Sequence, residues 1–156
     1  MVAKATYMEF SDSTFYPEVS PGYLMRLIHQ MNVTKIDAVL AKDGLTATQW
    51  ITLVVLFYDY EDTCIGLARR LGYDKGAMTR LIDQLEASGW VTRQRDDVDR
   101  RINRLSLTEP GRVAASAAKQ KVIALWNGYL ADWSDADVAT LTTLLQRLRK
   151  TMEEDA

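Results

Sequence analysis

Apolar residues recur at three- and four-residue intervals along most of the chain, and in two short runs they alternate instead. Leu24, Leu27, Ile28 and Met31 share one stripe that Ile36, Val39 and Leu40 continue, which predicts a long first helix across 21–42. Thr46-Ala47-Thr48-Gln49 has the form of a capping box and opens a helix holding Trp50, Leu53, Val54 and Phe57. Thr63 is placed to cap a helix that turns Ile65, Ala68 and Leu71 inward and ends at Gly72. Asp74 caps the next, where Met78, Leu81, Ile82 and Leu85 form a stripe that must be buried, with Tyr73 placed to staple onto Met78. Trp90–Arg95 and Ile102–Leu107 then alternate with period two and read as paired strands around the polar loop Asp96–Arg101. Beyond Pro110-Gly111, Arg112–Asp132 is an alanine-rich helix. Ser134 caps a last helix in which Val138, Leu141, Leu145, Leu148 and Met152 make a narrow seam too apolar to leave wet.

The fold class that follows is mainly α with a small β-hairpin wing, a winged helix-turn-helix over 46–112 within one protomer of 1–156. The face of the second helix opposite its apolar stripe carries Lys75, Gly76, Thr79, Arg80 and Asp83. Small residues let a helix sit deep in a major groove, Arg80 can pair bidentately with a guanine edge, and Thr79 can reach a base or a phosphate. Alone, such a helix is equally an amphipathic element with a solvated face. The hairpin changes the balance, because Arg93, Arg95 and Arg104 lie on its strands and Arg100 and Arg101 at its loop. Arginines so placed suit phosphate contact, and one at a hairpin tip can enter the minor groove. The expectation is a recognition helix at 74–88 in the major groove with a wing at 90–107 beside it.

Charge supports this only when divided along the chain. The 156 residues carry a net −2, yet residues 63–112 hold 10 basic against 7 acidic groups while residues 1–62 hold 4 against 8. Positive charge is gathered where duplex DNA is expected. A hydrophobic content of 47% is enough for one good core. A single cysteine excludes a disulfide framework and a cysteine-cluster metal site, and no cofactor motif is present. With one histidine, no Gly-x-Ser-x-Gly elbow, no phosphate loop and no His-Glu-x-x-His, the expectation is no enzyme. No run of 18 apolar residues and no basic-then-apolar start occur, so a cytoplasmic protein without a membrane partner is expected.

The run LARRLGYDKGAMTRLIDQLEASGWVTRQRDDVDRRINRLSLTEPGR resembles the winged helix of the MarR (multiple antibiotic resistance regulator) family of bacterial transcription factors. Its most characteristic pieces are Thr79–Leu85, Gly89-Trp90-Val91, Asp99-Arg100-Arg101 and Leu107-Thr108-Glu109-Pro110-Gly111. Upstream, Leu45-Thr46-Ala47-Thr48-Gln49-Trp50 is similar to the helix that precedes the DNA-binding pair. The resemblance implies that Asp99 orients Arg101 by an ion pair and that Arg101 is the wing arginine of the minor groove. It also implies that Lys75, Gly76, Ala77, Thr79 and Arg80 touch bases and phosphates, with Arg95 and Arg100 beside them. The acids Asp96, Asp97 and Asp99 at the wing tip would repel phosphate unless they pair with arginines or point away.

Apolar seams at both ends of a chain this small suggest a homodimer formed through 21–42 and 113–153; packing within one protomer is the alternative. The family resemblance favours the dimer, and with it a near-palindromic operator and a small effector, often an aromatic acid or its thioester, held between the dimerisation helices and the winged helix. Arg26 and His29, one turn apart on the first helix, with Trp50 on the next, would offer a carboxylate partner, a donor and an aromatic wall. Each is equally a packing or surface residue. Cys64, in the first turn of a helix, reads either as a small buried hydrophobe or as a thiolate sensing oxidants. The family expectation is a ligand-responsive repressor; the other readings are a winged helix used for protein contacts and a cysteine-based redox sensor.

Overall fold

The computed structural model describes residues 10–11 and 16–155. Among them, six α-helices and one hairpin follow in the order α1 (Pro21–Leu40), α2 (Ala47–Phe57), α3 (Cys64–Leu71), α4 (Lys75–Ala87), β1 (Val91–Arg95), β2 (Asn103–Leu107), α5 (Glu109–Tyr129) and α6 (Asp135–Glu154). Each helix starts where a side-chain oxygen satisfies an otherwise orphaned N–H. Ser20, Thr46, Thr63, Asp74, Thr108 and Ser134 accept from the third residue beyond them. The capping box at α2 closes in both directions, through Gln49 N–H to Thr46 Oγ1 at 3.2 Å and Thr46 N–H to Gln49 Oε1 at 3.0 Å.

α5 begins three residues earlier than the alanine-rich pattern predicts. Pro110 and Gly111 lie inside its first turn, where proline's missing N–H costs nothing and Thr108 provides the cap. Gly111 is required there by space, since a Cβ would collide with the Trp90 carbonyl. That carbonyl is already fixed by the Thr108 N–H at 3.0 Å, and the Thr108 hydroxyl donates to the Gly89 carbonyl at 2.6 Å. The base of the hairpin and the start of α5 are therefore one tightly sewn joint.

The core gathers Leu40, Leu53, Leu56, Leu67, Met78, Ile82, Leu85, Val91, Leu105, Leu107, Ala115, Ala118 and Val122. It lies beneath the helix-turn-helix, with α2 against α5 and α3 against α4 as main contacts. In α3 the expected inward set fails at one residue, Ile65, while Ala68 and Leu71 face inward as expected. Ile65 is 64% exposed, and Leu67 and Ala68 are buried. The stripe is thus Cys64, Leu67, Ala68 and Leu71, the spacing that keeps one helical face, whereas a strict three-residue step drifts around the axis.

α6 buries no residue, and Leu141, Leu144, Leu145, Leu148 and Met152 are open to solvent. On the first half of α1, Leu24, Ile28 and Met31 are likewise exposed, whereas Ile36 and Leu40 at its end are buried. Among the described residues no single helix is long and apolar enough to cross a membrane.

Candidate nucleic-acid interface

α4 is held from behind by Met78, Ile82 and Leu85, all fully buried, so its opposite face must point outward. Lys75, Gly76, Thr79 and Arg80 are exposed there and Ala77 is half-buried. Gly76 leaves the surface low beside Arg80, whose Nη1 would lie 3.6 Å from any Cβ at that position. The Thr79 hydroxyl donates to the Lys75 carbonyl at 2.8 Å, and its oxygen is 3.5 Å from Cys64 Sγ. With its hydrogen committed, Thr79 offers a partner only lone pairs or a methyl, the latter suited to the methyl of thymine. Cys64 is half-buried at this α3–α4 contact.

The hairpin pairs Val91 with Leu107, Arg93 with Leu105 and Arg95 with Asn103. Cross-strand partners share a face, so Arg93 belongs to the side of the buried Val91, Leu105 and Leu107. It spans to α4, where Nη2 meets Asp83 at 2.5 Å and Nη1 meets Glu86 at 2.9 Å. Arg104 is on the other face and is also paired, through Nε to Asp96 at 2.7 Å and Nη1 to Asp62 at 2.7 Å. The strand arginines do not form the single phosphate-facing cluster expected from sequence. Carboxylates 10 and 8 residues away on Asp83 and Asp96, and 42 away on Asp62, have claimed Arg93 and Arg104.

Exposed positive charge on the wing is carried by Arg95, Arg100 and Arg101, which form no ion pair among the described residues. The Asp99 carboxylate accepts the backbone N–H of Arg101 at 3.0 Å, in place of the side-chain ion pair that the family resemblance implies. An aspartate two residues before an N–H in a tight loop reaches the backbone more easily than an extended guanidinium. Asp96 organises the same loop. Its Oδ1 accepts from Val98 and Asp99 N–H at 2.8 Å each, which together with Arg104 holds its pKa down from 3.8 to about 2. The acids at the tip are therefore partly spent on loop structure and on Arg104.

Of the three residues expected to line an effector site, Arg26 and His29 are exposed on α1 and Trp50 is half-buried on α2. No hydrogen bond or ion pair joins them among the described residues. The Trp50 indole N–H and the Asn32 side-chain oxygen are buried without a hydrogen-bond partner among the described residues. The N-terminus of α2 touches several elements. Asp37 of α1 accepts the Ala47 N–H at 2.6 Å, Thr48 Oγ1 lies 3.1 Å from the Tyr73 hydroxyl, and Gln49 donates to Gln84 of α4 at 3.4 Å.

Sequence reasoning misses Asp62 and underrates Arg104. Asp62 gives no local signal, because its partner lies 42 residues away and it resembles any polar residue ahead of a helix cap. Asp96 is visible as an acid in a basic loop, the one hint that an arginine nearby is internally paired.

An exposed helix seated by its predecessor and flanked by a two-stranded wing defines a winged helix-turn-helix fold. Residues 45–102 match the model of the MarR family. Over those residues the chain is similar to the members of that family. It is 29% identical over 106 residues to the uncharacterized HTH-type transcriptional regulator YdgJ of Bacillus subtilis, an alignment covering 68% of this chain and 65%, just under two thirds, of that relative. Among solved structures, the Escherichia coli MarR apo form superposes with a TM-score of 0.73 at 27% identity, covering 83% of this chain and 97% of that one. An E. coli MarR variant complexed with operator DNA gives 0.73 at 28% identity, with 84% and 95% covered. CouR from Rhodococcus jostii RHA1, bound to p-coumaroyl-CoA, gives 0.75 at 28% identity, with 85% and 94% covered.

Proposed function

We propose that this chain acts as a homodimeric, ligand-responsive repressor in the cytoplasm, placing α4 of each protomer in a major groove and each wing at the adjoining minor groove of a near-palindromic operator. The observation that carries the reading is the outward face of α4, with Lys75, Gly76, Ala77, Thr79 and Arg80, set beside a wing whose Arg95, Arg100 and Arg101 have no ion-pair partner among the described residues. The operator complex of the E. coli MarR variant supports the DNA partner, and CouR's p-coumaroyl-CoA supports a small acidic or thioester effector. Arg26, His29 and Trp50 remain the candidates to meet that effector. Two-fold pairing is supported by the unburied apolar faces of α1 and α6, which a second copy would cover. Recognition helices in such a dimer read half-sites about 10 base pairs apart.

The test is a gel shift of the purified chain against duplex from upstream of its own gene, over a series of salt concentrations. Binding that weakens steeply with salt and resists competition by random duplex is expected, because phosphate contacts release counterions. Absence of any shift at low salt overturns the reading. Titration of the complex with aromatic carboxylates and their thioesters then tests the effector.

A further inference from the structure

Besides the Arg93 bridge from β1 to α4, a three-residue unit fastens the wing loop to the connection ahead of α3. Asp62 lies in the connection between α2 and α3, immediately before the Thr63 cap. Its carbonyl accepts the Leu105 N–H at 2.7 Å, and Thr63 bridges Arg104 in antiparallel fashion, so the connection runs as a short third strand beside β2. Across that edge the Asp62 carboxylate takes Arg104 Nη1 while Arg104 Nε takes Asp96. Asp96 in turn collects the Val98 and Asp99 amides, and Ile102 N–H bonds the Asp99 carbonyl at 2.9 Å. The path from the α3 cap to the loop that carries Arg100 and Arg101 is thus continuous.

Charge argues against a second use of the same arginine. Two carboxylates around one guanidinium leave the unit at net −1, which repels phosphate, and two edges of the guanidinium fork are already occupied. We propose that Arg104 is a positioning residue that fixes the wing loop against the α2–α3 connection and is not itself a phosphate ligand. The inference rests on the DNA-binding reading for its consequence, yet the fastening is measurable without DNA.

Three variants test it, Arg104→Gln, Arg104→Lys and Asp62→Asn, each first checked by circular dichroism for an intact helical fold. In the free protein, hydrogen exchange of the wing amides at 98, 99 and 105 should quicken roughly tenfold or more in Arg104→Gln and Asp62→Asn, while α4 amides keep their rates. Lysine cannot span both carboxylates, so Arg104→Lys should behave like Arg104→Gln. Unchanged wing exchange in Arg104→Gln overturns the inference.

The duplex arm separates the two roles by sign. Removing the Asp62 charge near DNA should tighten binding if electrostatics alone matter; a positioning unit requires that Asp62→Asn weaken it. Adding Asp62→Asn to Arg104→Gln should then cause no further loss, since both cut one linkage. A tighter Asp62→Asn, or an Arg104→Lys that binds like the unmodified chain, identifies Arg104 as a phosphate contact and sinks the proposal. Should the unmodified chain fail to bind any duplex, the regulator reading falls, and the exchange rates alone decide whether Arg104 fixes the wing.

Discussion

Replacing Gly111 by alanine places a methyl group where the Trp90 carbonyl stands. On propensity alone the change is favourable by about 1 kcal/mol, because Gly111 lies within helix α5. Space decides otherwise. The carbonyl cannot retreat freely, as it accepts the Thr108 N–H at 3.0 Å and its own residue's N–H bonds the Leu85 carbonyl at 3.0 Å. Relief requires α5 to move away from the hairpin base, straining the Thr108 hydroxyl bond to Gly89 and the Gly111 N–H bond to Thr108 as well. Overpacking costs about 1–3 kcal/mol and each weakened bond about 1 kcal/mol, so net destabilisation of about 2–4 kcal/mol should remain after the propensity gain. For a chain of this length that lowers Tm by roughly 5–15 °C.

The control lies in the same helix. A Cβ at Gly128 would meet no described residue within 4 Å, so Gly128→Ala should stabilise by about 0.5–1 kcal/mol. Urea unfolding of both variants, at one fixed protein concentration so that any association is held constant, measures the contrast. If Gly111→Ala matches or exceeds the unmodified chain in stability, the joint between hairpin and α5 is not a rigid contact.

Other outcomes follow from the same geometry. Arg101→Ala should lower duplex affinity and flatten its salt dependence while leaving Tm unchanged; equal affinity in an anisotropy titration would remove Arg101 from the interface. Arg80→Ala should cost about 1–3 kcal/mol against the preferred operator and relax discrimination at one base pair per half-site, whereas a uniform loss over all sequences would make Arg80 a phosphate contact. Leu145→Asp with Leu148→Asp on the open face of α6 should give a folded monomer by sedimentation; a persisting dimer would place the interface elsewhere. Asp96 has a folded pKa near 2 against an ordinary 3.8, so its contribution to wing order is complete above that ordinary value and is lost as pH falls through about 2. A carboxylate-carbon titration by NMR checks this, and a midpoint at the ordinary value would detach Asp96 from the bonds that hold the loop.

How far the sequence reveals this architecture depends on the range of the interactions concerned. Caps at Thr46, Thr63, Asp74 and Ser134 act within three residues, and each is where the pattern places it. The stripe of α4 and the alternation of the hairpin are equally local, and so is the outward placement of Lys75, Gly76, Thr79 and Arg80. The inward face of α3 is harder to read because eight residues hold too few repeats to fix a phase, and Ile65 looks like the core residue that Leu67 in fact supplies. Arg93 and Arg104 look like part of the cationic surface because acids that engage them, Asp83, Glu86 and Asp62, sit on other elements. Net charge by segment counts side chains and is blind to which of them are already neutralised.

The 2.6 Å bond from the Ala47 amide to Asp37 has a mechanical meaning. A carboxylate gripping an amide is worth about 1.5–3 kcal/mol, so sliding α1 over α2 costs that much unless the start of α2 travels along. Thr48 and Gln49, on that same first turn, meet Tyr73 and Gln84. The first and second helices are thus pinned to each other at this bond, and the pinned end of α2 is also the end that reaches Tyr73 and, through Gln49, α4.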